Sequence, residues 1–305
     1  TLLFGSNNAW TMENFRVLDG TLILSGTNNL PFNIEVSGDF EVGTDGALNY
    51  GPVGPLPGAA STFNFNGSSP QLFIVDGSLV FNDRVTLELN NTYSSPGFAL
   101  EIQDDIELFS DFLIVDGEVQ GAGAVITMSG NNTTLSVDDN GSIYGTDVGP
   151  GRNLSLVSND PLLTLAGGAS SVCRFFDLTI NDNLEFVVDR PLLEVRFGTF
   201  SVGENSILRI NTAGQAILGS SVRPSYGLNS QLIYNSGATT QRGAEWSSIS
   251  GAGYPVDVTI QNGTTVEVTN SMGTDYGIQG DLNIGDATNG AGTLTMTNVT
   301  NFLQV

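Results

Sequence analysis

A short motif recurs along the chain at intervals of roughly 40 residues, and this repeat limits what the chain can fold into. The segment IEVSGDFEVGTDGALNY (34–50) aligns with LEVRFGTFSVGENSILRI (193–210) when one extra residue is allowed before Gly198. Gly38 then matches Gly198, and apolar residues alternate in the same positions on either side. A fixed period of this size is typical of solenoids, propellers and repeat arrays.

Glycines that occupy the position of Gly38 mark the period. The differences between their successive numbers are 39, 40, 81, 39 and 43, and the step of 81 spans two units. These glycines are Gly38, Gly77, Gly117, Gly198, Gly237 and Gly280. Gly20 precedes Gly38 by half a unit. The spacing therefore predicts coils of roughly 20 residues in units of roughly 40 residues.

The local pattern within each unit is that of short strands. Stretches such as FRVLDGTLIL, VTLELN and VDVTIQNGTTVEV alternate apolar and polar residues and are bounded by Gly, Asn or Asp, as expected for strands with one buried face. We therefore predict an all-β chain, and specifically a parallel β-helix (β-solenoid). A β-propeller is the alternative, but insertions of several residues leave the next unit undisturbed, which a solenoid tolerates better.

The same periodicity bears on domain organisation. It predicts one solenoid segment over residues 1–305, and we expect it to belong to a longer array because the chain begins at Thr1 without a methionine. Neighbouring repeats of the same polypeptide would then be its partners along the solenoid.

Charge is distributed unevenly. The chain has 32 acidic residues and 9 basic ones, all arginine, and a net charge of −23. Such a surface repels nucleic acid and anionic membranes, so neither partner is expected. It can attract divalent cations, so calcium is the one cofactor considered. Cys173 is the only cysteine, which excludes an internal disulfide, and its apolar surroundings predict a small buried side chain.

The most distinctive stretch is QRGAEWSSISGAGYP, which contains Arg242, Glu245, Trp246 and Tyr254. One interpretation is a ligand-binding shelf for sugars, in which an aromatic ring stacks on a pyranose and charged groups bind its hydroxyls. The other is a structural loop held by an Arg–Glu pair, with Trp246 packed against its base.

Six of the nine arginines lie between Arg174 and Arg242, and VVDRPLLEVRF brings Asp189, Arg190, Glu194 and Arg196 close together. Surface ion pairs between stacked coils explain this, and a catalytic groove for an acidic polysaccharide is the alternative. Since Lys and His are absent, the usual groups that titrate near neutral pH are missing. We predict that the protein is not an enzyme.

Two further patterns are weaker. SVDDNGSIYG contains Asp138 and Asp139, whose carboxylates suit calcium, but the EF-hand spacing is absent and a solvated β-turn is the favoured interpretation. Threonine-bearing strands such as GTTVEV raise the hypothesis of ice binding, which requires threonines in register on a flat face.

The segments LIYNSGATTQRGAEWSSISGAGYPVDVTIQNGTTVEV and GIQGDLNIGDATNGAGTLTM resemble repeats in very large secreted proteins of Bacteroidota, and STFNFNGSSPQLFIVDGSLVFND is similar to another such repeat. The resemblance covers about half of the chain, most clearly residues 231–296. It implies export by type IX secretion, an extracellular or cell-surface location, and a role as an adhesin, in some cases in gliding motility.

These observations predict a structural or adhesive β-solenoid rod of a secreted or surface-anchored bacterial protein. Loops at Tyr50–Ala60 and Gln241–Tyr254 would present contacts to surface glycans or other extracellular ligands. A carbohydrate-active β-helix is the main alternative, and an ice-binding solenoid is the third.

Overall fold

A computed structural model describes the following parts of the chain: residues 2–4, 8–26, 32–50, 61–93, 97–144, 153–169, 171–190, 192–218, 221–268, 276–285, 288, 290–296 and 303–304. The chain divides into two compact units, Thr1–Leu156 (unit 1) and Val157–Val305 (unit 2). In each unit strands pair in parallel, one coil on the next, so the predicted all-β parallel β-helix is confirmed. The single segment over residues 1–305 stays a prediction.

Short strands make up unit 1. They are β1 (Leu2–Phe4), β2 (Asn8–Met12), β3 (Phe15–Gly26), β4 (Phe32–Val36), β5 (Phe40–Tyr50), β6 (Ser61–Gly67), β7 (Gln71–Val75), β8 (Ser78–Phe81), β9 (Val85–Asn91), β10 (Leu100–Ile102), β11 (Ile106–Leu108), β12 (Phe112–Gly121), β13 (Ala124–Met128) and β14 (Thr134–Tyr144). The next strand, β15 (Leu154–Ser158), contains the boundary between the units.

Unit 2 continues in the same style. Its strands are β16 (Leu162–Gly167), β17 (Val172–Phe175), β18 (Leu178–Ile180), β19 (Glu185–Asp189), β20 (Leu193–Val195), β21 (Phe200–Val202), β22 (Ile207–Ile210), β23 (Ser225–Tyr226), β24 (Gln231–Tyr234), β25 (Thr239–Gln241), β26 (Asp257–Ile260), β27 (Thr264–Val268), β28 (Tyr276–Gly277), β29 (Leu282–Ile284), β30 (Gly292–Met296) and β31 (Leu303–Gln304). The helical segment within the described ranges is a 3-10 turn, Ala244–Trp246.

Both cores are built from apolar ladders in which one coil places its side chain directly on that of the next. In unit 1 the ladder runs through Ile34, Phe63, Leu87, Phe112 and Leu135. All five side chains are completely buried. Period-2 alternation explains this, because it sends every second side chain of each strand to the same face.

The equivalent ladder of unit 2 runs through Leu163, Phe186, Leu208, Leu232 and Val258. These side chains are also completely buried. The matching pattern shows that each coil is stabilised chiefly by the coils directly before and after it.

The coils are longer than the half-unit that the sequence predicts. Asn64 stacks on Glu88, 24 positions further along the chain, and Thr179 stacks on Ser201, 22 positions further along. The recurring glycine therefore does not occur once per coil at a fixed position. Within unit 2, Gly198 lies between the second and third strands of its coil, β20 and β21, whereas Gly280 precedes β29, a first strand.

Three of these glycines, Gly38, Gly198 and Gly280, share a local contact with a side chain of the preceding coil. A Cβ on Gly38 would lie 2.5 Å from Asn14 Oδ1, and one on Gly198 would lie still closer to Asp177 Oδ1. The same oxygens accept hydrogen bonds from the next backbone N–H groups, of Asp39 over 2.8 Å and Thr199 over 2.6 Å. Glycine therefore recurs where the side chain of the preceding coil reaches over the corner, and this device appears at more than one corner.

Polar ladders reinforce unit 2. Asn183, Asn205 and Asn229 have positive φ angles of 63°, 55° and 56°, a conformation that Asn adopts more readily than most residues. The side-chain amide of Asn229 donates to Asn205 over 3.0 Å, and that of Asn205 donates to Asn183 over 3.3 Å. The asparagine of each coil thus stabilises the turn of the next coil.

Candidate functional site

The segment that we singled out as a ligand shelf lies directly after β25. Its chain turns at Gly243, where a Cβ would overlap the carbonyl oxygen of Ile217. Only glycine fits so close to a neighbouring backbone. The 3-10 turn Ala244–Trp246 follows, and all three of its residues are buried.

Trp246 faces inward. Its side chain is completely buried, its Nε1–H donates to the carbonyl of Gly277 over 2.9 Å, and its ring lies 6.4 Å from that of Tyr234. A sugar cannot stack on a ring that has no exposed face, so the prediction of an aromatic shelf at Trp246 is wrong. The alternative, in which Trp246 packs at the base of a structural loop, describes its position.

Glu245 and Arg242 are buried with it, and we call Arg242, Glu245 and Trp246 the Trp246 cluster. Arg242 donates to the carbonyl of Trp246. Glu245 Oε1 accepts from the Tyr234 hydroxyl over 2.8 Å and from the Gly243 N–H over 2.6 Å. Burial raises the pKa of Glu245, and these hydrogen bonds together with the positive charge of Arg242 partly oppose the rise.

Tyr254 is half-buried and ends the loop. Its hydroxyl donates to the carbonyl of Ile278 over 3.3 Å, next to the carbonyl that Trp246 holds. Trp246 and Tyr254 are therefore brought together on one short segment of the following coil. Their contacts hold that segment in place, and the predicted binding quartet forms a structural clasp. Residues 51–60 of the other predicted contact loop lie outside the described residues.

The arginine-rich region around β17 and β20 is organised around a buried carboxylate. Glu194 is completely buried and accepts from Arg174 Nε over 2.5 Å and from Arg196 Nε over 2.6 Å. Arg174 and Glu194 are in register on β17 and β20. Ion pairs between stacked coils, one of our two interpretations, are thus present, although we expected them at the surface.

Arg190 is a further buried charged residue in this region. Its side chain is completely buried, and it donates to the backbone carbonyl and the hydroxyl of Ser171. Cys173 is buried nearby, as predicted, and burial raises the pKa of its thiol to about 11, opposed by the charge of Arg190. The thiol is therefore protonated and inert at neutral pH.

Asp138 and Asp139 lie in the middle of β14 and are exposed. The register with β12 shifts there, since Ile114 pairs with Val137 but Asp116 pairs with Asn140. The two aspartates thus lie opposite the single residue Val115, which is the arrangement of a β-bulge. In the part of the chain that is described, no group of three or more His, Cys, Asp or Glu is placed to hold a metal ion. Calcium binding stays a prediction.

Threonines come into register at one place in unit 2. Thr239, Thr265 and Thr293 stack on β25, β27 and β30. The adjacent column contains Gln241 and Glu267 beside Thr295, so this row of threonines is one residue wide. A flat ice-binding face requires more than one such row.

The sequence did not predict a groove that combines polar side chains with a tyrosine. It lies on unit 1, is partly open, and has a volume of about 190 Å³. We call it the Tyr93 groove, and its lining residues are Tyr93, Gly97, Asp116, Gly117, Glu118, Asn140 and Ser142. They come from consecutive coils, so no motif in the linear sequence could have identified them together.

Comparison with known proteins gives no match to a family model, to a curated protein or to a solved structure. Over the described ranges, the chain has no helix with the length and apolar character needed to span a membrane.

Proposed function

We propose that the protein is a non-catalytic β-solenoid scaffold of a secreted or surface-attached bacterial protein, acting as a stalk or adhesive element that contacts surface glycans. The observation that carries this proposal is the use of its charged groups. Asp177 accepts from a backbone N–H of the following coil, Glu194 accepts from two arginines, and Arg242 donates to Trp246. The residues best suited to chemistry are therefore engaged in structural contacts, some between coils and some within a loop.

Stacked coils suit a mechanical role. Each coil is hydrogen-bonded to its neighbours along parallel strands, so load applied along the stack is shared by many bonds. Individually weak contacts to a ligand would add through effective concentration when many coils are present. A net charge of −23 keeps such a protein soluble and favours ligands without negative charge.

The carbohydrate-active alternative is less well supported. It relied on Arg190 and Arg196 lining a groove, but Arg190 is completely buried against Ser171 and Arg196 is paired with Glu194. Neither guanidinium group is oriented as a catalytic pair facing a substrate would require.

The test is made in the producing bacterium. Antibodies against this segment should label intact cells or the culture medium, and deletion of the segment should reduce attachment of cells to a glycan-coated surface. The control is a deletion strain complemented with the wild-type gene. Labelling only after cell lysis would contradict the proposal, and so would turnover of a polysaccharide by the purified protein.

A further inference from the structure

We propose that the Tyr93 groove of unit 1 binds one sugar ring of a neutral glycan. This inference rests on the proposed function, because it locates the glycan contact of the scaffold. It assigns that contact to Tyr93, Asp116, Glu118, Asn140 and Ser142, of which Asn140 and Ser142 lie in the segment SVDDNGSIYG considered for calcium.

The groove is built by a bend in β12. Between Ile114 and Asp116 the register with both neighbouring strands shifts, which marks a β-bulge, and bulges re-aim the side chains next to them. Gly117 follows with φ of 101°, and a Cβ there would lie 2.7 Å from Ala99 Cβ. The bend places Asp116 and Glu118 on the two sides of a glycine that no larger residue can replace.

Polar groups in the groove differ from those at several other corners. Elsewhere Asp39, Asp105 and Asp111 accept from backbone N–H groups of another coil over 3.0, 2.8 and 2.7 Å. Within the described residues, the side chains of Asp116 and Ser142 make no hydrogen bond. Both are partly exposed, so they can offer hydrogen bonds to a molecule in the groove.

The neighbouring groups complete a sugar-binding set. The side chains of Tyr93 and Asn140 also make no hydrogen bond within the described residues. Carboxylates accept two hydrogen bonds from adjacent hydroxyls, an amide donates and accepts, and a phenol offers an apolar ring with a polar tip. A polyhydroxylated ring with one apolar face matches all three.

The size and charge of the groove limit the class of ligand that it can bind. At about 190 Å³ the groove is smaller than the ~300–1,000 Å³ pockets that enclose whole drug-sized ligands. It therefore suits one ring of a longer chain that continues outside. Two carboxylates in the lining and a net charge of −23 disfavour uronic acids and sulfated sugars, so the ligand class is a neutral glycan.

The experiment measures binding of neutral oligosaccharides to the purified full chain. The probes are cellohexaose, mannohexaose, xylohexaose and laminarihexaose, with polygalacturonate as the acidic comparison, first on an array and then by calorimetry in EDTA. For whichever neutral probe binds, Asp116→Ala and Tyr93→Ala should each weaken binding about tenfold or more, as expected for loss of a hydrogen bond to a charged group or of a stacked ring. Tyr93→Phe, which keeps the ring, should lose less.

Asp45→Ala is the matched control. Asp45 precedes Gly46 at the equivalent bulge of β5 but lies outside the groove, so its removal should leave binding unchanged. Far-UV circular dichroism and thermal unfolding of every variant show that the fold is retained.

The outcomes separate the two proposals. If the wild-type protein binds a neutral probe and the groove variants bind it equally well, the glycan site lies elsewhere. The assignment of the site to the Tyr93 groove is then wrong, while the adhesive role stands. If no neutral probe binds, if only polygalacturonate binds, or if EDTA abolishes binding, the groove proposal is overturned. The scaffold proposal is then decided by the labelling and attachment experiment alone.

Discussion

The two units share one architecture but bury different kinds of polar side chain. Within the described residues, the buried polar side chains of unit 1 are all neutral, namely those of Ser61, Gln71, Asn91, Gln120 and Thr133. Those of unit 2 include five charged residues, Asp160, Arg190, Glu194, Arg242 and Glu245. The ion pairs of Arg16 in unit 1 involve a side chain that is 50% exposed, whereas Glu194 in unit 2 is 0% exposed.

Unit 1 instead concentrates aromatic rings. Phe40 lies between Phe15 and Phe73, with ring centroids 5.4 and 4.7 Å apart and interplanar angles of 16° and 19°, and Phe63 packs edge-on against it at 5.2 Å. Apolar burial does not depend on protonation, whereas a buried ion pair loses its attraction when either member changes charge. Coils of the same geometry can therefore respond differently to pH.

The largest expected effect is in the aromatic stack. Phe40→Ala removes a completely buried ring from between two others and should lower the free energy of unfolding by about 3–5 kcal/mol. Hydrogen exchange with mass spectrometry should show lost protection in β3, β5 and β7. Phe40→Leu, which leaves a smaller cavity, is the control. Equal loss of protection in peptides of unit 2 would contradict the separation between the units.

Next in size is the buried ion network of unit 2. Glu194→Ala leaves Arg174 and Arg196 without the carboxylate that joins them, and we expect a loss of about 3 kcal/mol. Arg196→Ala should cost about 1 kcal/mol or less, because that side chain is 38% exposed and exposed pairs contribute little. Urea unfolding of both variants gives the comparison. Equal effects would mean that burial of Glu194 does not determine its contribution.

The stability of unit 2 should depend on pH because Glu245 is buried there. Since burial raises the pKa of Glu245 above its ordinary 4.5, the folded state keeps a proton that the unfolded state releases between the two values. Stability of unit 2 should therefore fall as pH rises through that window, by at most about 1.4 kcal/mol per pH unit. Glu245→Gln should remove the slope.

The measurement uses Trp246 fluorescence during urea unfolding in a Trp10→Phe background, where Trp246 is the remaining tryptophan. Both this background and its Glu245→Gln derivative are measured from pH 4 upward. A slope that is identical in the two proteins would show that another group titrates.

A smaller effect than that of Glu194→Ala is expected in the asparagine ladder. Asn205→Ala places a residue that disfavours positive φ at 55° and removes two side-chain hydrogen bonds, so we expect a loss of about 1–2 kcal/mol. Asn205→Gly relieves the backbone but still loses the ladder, and should cost less. Thermal unfolding compares them. If the two variants were equally unstable, the left-handed turn would not be the source of the effect.

The sequence by itself determined the fold class and its local devices. Alternation in segments such as VTLELN specifies which side chains enter the core, and glycine beside Asp or Asn specifies where corners turn, because both depend on residues close in the chain. The buried position of Cys173 followed from the same local reasoning. Coil length was less well predicted, because the recurring glycines lie at different corners of the coil and do not all make the same contact.

Only the tertiary structure decided which side chains face solvent in the loops. A Trp close to Arg and Glu in the sequence is compatible with a binding shelf and with a buried clasp. The hydrogen bond from Trp246 to Gly277 on the following coil shows that this segment is a clasp. Conversely, Tyr93, Asp116 and Asn140 become neighbours because each coil returns the chain to the same place. How the coils stack determines which side chains are buried and which come together. Stacking brings together residues whose spacing along the chain depends on the length of every loop between them.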